Sequence, residues 1–141
     1  MGRILGIDLG EKRIGLALSD ELHCLASPLL VYERIDINSD LDFLKALVIE
    51  KSIEAITLGL PTNMDGSLGP KAQETIEFKK TLEAHLHVPV YLFDERLSTA
   101  EAERVLIDSG MRREKRRETR DKVAAVLILQ GYLNSNQKNA G

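Results

Sequence analysis

Two short apolar runs, RILGIDL at residues 3–9 and RIGLALS at 13–19, stand only three residues apart. Gly10 gives the connection the backbone freedom of a tight turn, so the pair predicts an antiparallel β-hairpin. A third apolar run, HCLASPLLVY, follows at residues 23–32 and extends the hairpin into a meander. Pro28 lies inside it. Proline cannot donate to a strand ladder, which predicts an edge position or a bulge. The first strand also holds an anomaly, because Asp8 interrupts the apolar series Ile4, Leu5, Ile7 and Leu9.

After the third run the period changes. SDLDFLKALVIEK places Leu41, Leu44, Leu47 and Val48 on one helical face, with Ser39 as the expected N-cap. IEAITLGLP is a short strand ending at Pro61, followed by a turn-rich loop over residues 61–69. Pro70 suits a first helical turn, and the helix it opens buries Ala72, Ile76, Leu82 and Leu86. VPVYLFDE predicts a fifth strand. STAEAERVL predicts a helix with a capping box, Ser98 and Glu101 three residues later. Residues 110–120, GMRREKRRETR, predict a mobile basic loop before a last helix over DKVAAVLILQGYL. The order β-β-β-α-β-α-β-α-α implies an α/β fold with a mixed five-stranded sheet. Its first three strands are antiparallel, its later strands run parallel to the first, and helices cover its faces.

At 141 residues the chain fits one domain, expected over residues 1–135, with 136–141 as a disordered tail. No Trp and 4% aromatic residues imply an aliphatic core. Cys24, the one cysteine, excludes an internal disulfide framework and suits a reducing compartment. Its apolar neighbours predict a buried thiol. No leader pattern and no run of about 20 apolar residues is present, so a cytoplasmic protein without membrane contact is expected.

Burying Asp8 is costly unless its charge is paired or binds a metal. An Asp at a strand end can simply bond its own turn, but two further acids occupy comparable places. Glu95 lies where a parallel strand ends, in FDERLST, and Asp121 opens the last helix, in TRDKVAAV. Sites in open α/β sheets form outside the carboxyl ends of the parallel strands. Ala124 and Ala125, three and four positions after Asp121, would let that helix approach the sheet closely. Three carboxylates without a His or Cys cluster suggest a hard cation, Mg2+ or Mn2+. Carboxylate-held metals suit phosphodiester hydrolysis.

Such chemistry also needs cations for the phosphates. Residues 112–122 hold seven bases against three acids, a local +4 in a chain of net −3. Arg112, Arg113, Arg116, Arg117 and Arg120 are candidates for nucleic-acid backbone binding; a solvated charged segment is the plain alternative. Lys12, Arg13 and Arg96 adjoin the acids and either contact phosphate or pair with carboxylates. In the loop GLPTNMDGSLGP, Asn63, Asp65 and Gly66 form a possible phosphate loop, with Asp65 a possible fourth acid.

GIDLGEKRIGLALSD, GLPTNMDGS, DERLSTAEAE and DKVAAVLILQGYL, in this order and spacing, resemble the YqgF family, also called RuvX. The resemblance implies a ribonuclease H-like three-layer fold, with Asp8, Glu95 and Asp121 matching an acidic triad that is both catalytic and metal-holding. It implies a nuclease whose partner is nucleic acid, RNA or branched DNA, acting as a monomer or homodimer. Members are described as nucleases maturing the 5′ end of precursor 16S rRNA, and as Holliday-junction resolvases by similarity to RuvC. The strand ending in GLP lacks a carboxylate, and the second acid sits in DER, which favours the first description.

Two other classes compete. The actin, Hsp70 and sugar-kinase group also begins its phosphate loop like GIDLG, but it places nucleotide between two such domains, and this chain has room for one. A non-catalytic RNA-binding assembly factor could use the basic segment alone, but would gain nothing from acids clustered near phosphate.

Overall fold

The computed structural model describes residues 2–63, 65–95 and 113–140, with the side chains of 113–122 and 137–140 outside the description. Five strands, β1 (Arg3–Leu9), β2 (Arg13–Ser19), β3 (Ala26–Glu33), β4 (Ile53–Leu60) and β5 (Val90–Asp94), form one sheet in the order β3-β2-β1-β4-β5. β1 pairs antiparallel with β2, and β2 with β3; β4 lies parallel to β1, and β5 to β4. This is the mixed sheet the sequence implies. The parallel strands β1, β4 and β5 therefore end at one edge.

Three described helices complete the layers: α1 (Ile37–Glu50), α2 (Pro70–Leu86) and α3 (Arg113–Ala140). Strand alternation divides the core in two. Leu5 and Ile7 of β1, Ile14 and Leu16 of β2, and Ile56 and Leu58 of β4 pack with Leu44 of α1 and Phe78 and Leu82 of α2. On the other face Ile4, Ala17 and Ala55 pack with Ala125, Leu129 and Leu133 of α3. Small residues line the α3 face, and that is why the helix sits so close. A Cβ added to Gly6 would lie 2.7 Å from Leu129 Cβ and 3.0 Å from the Ala125 carbonyl oxygen. Among the described residues no helix is long and apolar enough to cross a membrane.

Several local expectations change. β3 begins at Ala26 instead of residue 23, because Asp20 Oδ1 accepts from the Cys24 amide at 2.7 Å and the Leu25 amide at 3.0 Å. His23 takes a left-handed backbone (φ 58°) in the same turn. Cys24 is thereby exposed, not buried. Pro28 is on the edge strand and beside a register shift, so both of its expected roles hold. α1 is capped by Asp36, whose carboxylate accepts from the Ser39 amide at 2.8 Å; Ser39 lies inside the helix.

The basic segment is not a loop where it is described: residues 113–120 are the first turns of α3. Arg, Lys and Glu are good helix formers, and no Gly or Pro interrupts them. The same helix continues through 136–140, expected as a disordered tail. The helix expected around Ser98 and Glu101 lies outside the described residues.

Candidate active site

Asp8 and Glu95 reach the same place from different strands. In β1, Ile4, Gly6 and Asp8 share the face covered by α3. In β5 the alternation puts Tyr91, Phe93 and Glu95 on that face; Tyr91 stacks on Tyr132, and the Phe93 ring lies against Gly131. β4 stands between β1 and β5, and at its carboxyl end the residue facing the site is Gly59. A Cβ there would lie 2.8 Å from Glu95 Oε1, 2.9 Å from Glu95 Cγ and 2.5 Å from Ile128 Cδ1. The missing side chain of Gly59 is the space through which Glu95 reaches across β4 to Asp8. A glycine near a strand's end marks such close approach, the one signal in the sequence that could have assigned Gly59 this part.

The two carboxyls share a hydrogen bond. Burial, then the bond to Asp8 and its negative charge, push the Glu95 carboxyl up to about 9, while Lys71 pulls it down. The Glu95 carboxyl therefore holds its proton more tightly than an exposed glutamate does. A hard divalent cation satisfies the same two groups with both ionised, and the donors are oxygens only, so the pair fits such a cation. Among the described residues no group of three His, Cys, Asp or Glu side chains could hold a metal.

Asp121 stands in α3 one turn before Ala125, and its side chain is outside the description. Arg113, Arg116, Arg117 and Arg120 occupy the preceding turns of that helix. Arg96 and Arg112 lie outside the described residues. Arg13 is half-buried and, two residues from Gly15, falls on the Asp8 face, since Asp8 pairs with Gly15. Lys12 is exposed at the β1–β2 turn.

The loop expected to cradle phosphate closes on itself. The Asn63 amide donates to the Ser67 carbonyl at 3.0 Å, the Gly66 amide to the Asn63 carbonyl at 2.8 Å, and the Ser67 amide to Asp65 Oδ1 at 2.9 Å. Gly66 adopts φ 87°, a turn conformation that favours glycine. Those amides of Asn63, Gly66 and Ser67 are engaged within the loop.

Sequence reasoning missed Arg34. Its Nε donates to Asp40 Oδ2 at 3.0 Å and its Nη1 to the Gly10 carbonyl at 3.0 Å, which ties down the turn following Asp8. Arg34 lies just beyond the expected third strand, and nothing in its neighbours signalled this partner.

The family model described as RuvX, Holliday junction resolvase, matches residues 2–135. A protein of Halothermothrix orenii, bearing a provisional name as a pre-16S rRNA nuclease, is 49% identical over 99% of each chain. One of Syntrophomonas wolfei with the same provisional name is 49% identical over 94% of each chain. Among solved structures, Thermus thermophilus RuvC in complex with a Holliday junction aligns at TM-score 0.60 and 16% identity, covering 97% of this chain and 96% of its own. That likeness establishes the ribonuclease H-like fold. A family model spanning nearly the whole chain, and relatives identical at about half their positions, lead to one conclusion: this protein belongs to the RuvX family.

Proposed function

We propose that the chain is a metal-dependent nuclease that hydrolyses phosphodiester bonds at the carboxyl edge of the sheet. The observation that carries this is the Asp8–Glu95 pair, two carboxyls brought together on one face, with burial and Asp8 raising the Glu95 carboxyl. Asp121 is the third acid of the set. The run of α3 supports it: Gln130 bonds to Cys24 and Ala26 at the far end of the sheet, while Ala125 and Leu129 cover Gly6 and Ile128 reaches Gly59. As its numbering falls, the helix heads for the carboxyl edge. One further turn, about 6 Å, brings it to Asp121, and two strand residues, about 6.6 Å, lead from Gly6 to Asp8.

Asp8, Glu95 and Asp121 would hold Mg2+ or Mn2+. When bound, such ions supply Lewis acidity at phosphate oxygen and lower the pKa of water. The rest falls to the chain. Gly59 gives Glu95 its path, Arg34 holds the turn after Asp8, and the arginines opening α3 furnish positive charge for a nucleic-acid backbone, with Lys12, Arg13 and Arg96 as nearer contacts. The names of the relatives favour precursor 16S rRNA as substrate, and we place the cut at its 5′ end. The description of the family model favours a second reading, a four-way DNA junction.

A cleavage panel with Mg2+ and Mn2+ decides, comparing single-stranded RNA, a precursor-rRNA leader and a four-way junction. Wild type should cut the leader, and Asp8→Asn should keep its fold by circular dichroism but lose cleavage by at least ~100-fold. Wild-type-like turnover by Asp8→Asn would remove the acid pair from the chemistry. Preferential cutting of the junction would move the substrate to DNA.

A further inference from the structure

At the carboxyl edge, a cavity of about 340 Å3 opens on the sheet face opposite α3. Its walls include Gly10 and Glu11 of the turn after Asp8, Pro61 at the end of β4, Arg34, and Lys71 and Glu74 of α2. It therefore adjoins the acid pair across the thickness of the sheet's edge. Its two cations differ in state. Arg34 is committed to Asp40 and to the Gly10 carbonyl. Lys71 is exposed, and among the described residues its side chain makes no hydrogen bond or ion pair, although Glu11 and Glu74 line the same cavity. Its charge is nonetheless felt at Glu95.

An ammonium that pairs with neither neighbouring carboxylate, yet stands within electrostatic reach of the acids, is suited to a ligand anion that arrives with the substrate. A lysine serves that purpose as a hydrated point charge on a flexible stem, able to meet a phosphate oxygen without fixed geometry. We propose that Lys71 contacts a backbone phosphate of the nucleic-acid strand, next to the phosphate placed at Asp8 and Glu95. With Arg34 paired to Asp40, Glu11 and Glu74 outweigh Lys71 in the cavity, which disfavours a free anion, so the phosphate is one of a chain already held at the acids. The assignment rests on the nuclease reading above.

Binding of fluorescent single-stranded RNA is measured by anisotropy from 50 to 200 mM KCl in the Asp8→Asn background, where cleavage cannot consume the probe. Each phosphate contact contributes about 0.7 to the slope of log K against log salt for a single strand. Lys71→Gln should weaken binding several-fold and make the slope shallower by about that amount, and Lys71→Arg should restore both. An unchanged slope and affinity in Lys71→Gln would overturn the assignment. Equal losses in the Gln and Arg variants would do the same, because a phosphate contact needs the charge and the Arg variant keeps it. Cleavage by wild type and its loss in Asp8→Asn test the nuclease reading separately, so the two failures are distinguishable.

Discussion

A carboxyl in the position of Glu95 must surrender its charge or acquire a cation. Burial and Asp8 raise it to about 9 from an ordinary 4.5, which has a consequence for stability. The folded chain binds this proton more tightly than the unfolded chain does. Its stabilising effect is complete below pH 4.5 and is lost progressively as the pH climbs toward 9. Metal-free wild type should therefore melt at lower temperature at pH 8.5 than at pH 6. Glu95→Gln, which keeps a hydrogen-bond donor toward Asp8 without a charge, should flatten that slope. Melting curves across pH in chelator check it, and parallel slopes for the two proteins would contradict the raised Glu95 carboxyl. The residues of this pair were legible in the sequence, since an Asp inside an apolar strand and a Glu at another strand's end both need explaining. Their contact was not, because it depends on Gly59, whose contribution is an absence of atoms.

Among the elements, α3 and β4 set the acids' positions through close contact. Gly59→Ala would push a methyl group to 2.8 Å from Glu95 Oε1 and 2.5 Å from Ile128 Cδ1. The isoleucine methyl ends a flexible side chain and can yield, so the loss of stability should be about 1–3 kcal/mol. Glu95 would instead be pushed off the path by which it meets Asp8, and if it acts in the proposed chemistry a displacement on the order of 1 Å costs roughly 100-fold in rate. Cleavage should fall far more than stability, and equal falls would show that Gly59 serves packing alone. The start of α3 invites another test. Replacing Arg116 and Arg117 with Gln should weaken substrate binding and flatten its salt dependence by up to two contacts' worth, about 1.4 for a single strand. An unchanged salt series would remove these arginines from binding. Reading this segment as a loop followed from its lack of an apolar stripe. Among the described residues, the helix is anchored from Ala124 onward, by Ala124, Ala125, Ile128, Leu129 and Leu133, and apolar periodicity signals a helix only where it packs. The Asp20 and Asp36 side-chain bonds likewise moved the ends of β3 and α1, because local polar contacts reset boundaries that apolar periodicity cannot resolve.

Across the whole molecule, the alternation of strands and helices was legible and gives the sheet its edge of converging carboxyl ends. What holds that edge in register is a polar network that periodicity does not reveal. Asp40 is fully buried in α1. It accepts from Arg34 Nε at 3.0 Å and from the Ile35 amide at 3.1 Å, and it bonds the Tyr32 side chain. Arg34 passes 5.9 Å over the Phe78 ring of α2 and donates to the Gly10 carbonyl. One ion pair thus joins the end of β3, both helices of one layer and the turn beside Asp8. Burial opposes Asp40's ionisation, but its three hydrogen-bond donors hold it below the ordinary value of 3.8. Its contribution is present above that value and lost as the pH falls through the depressed one. Arg34→Met would leave a buried carboxylate without its counter-charge, a loss of about 3–5 kcal/mol. It would also free the Gly10 carbonyl. The double change Arg34→Met with Asp40→Leu removes the stranded charge and should regain most of the stability, while the turn after Asp8 stays untethered. Denaturant melts and cleavage rates on the same three proteins separate the two effects. Stability recovered without activity would show that the pair positions the site, and recovery of both would reduce it to an ion pair of the fold.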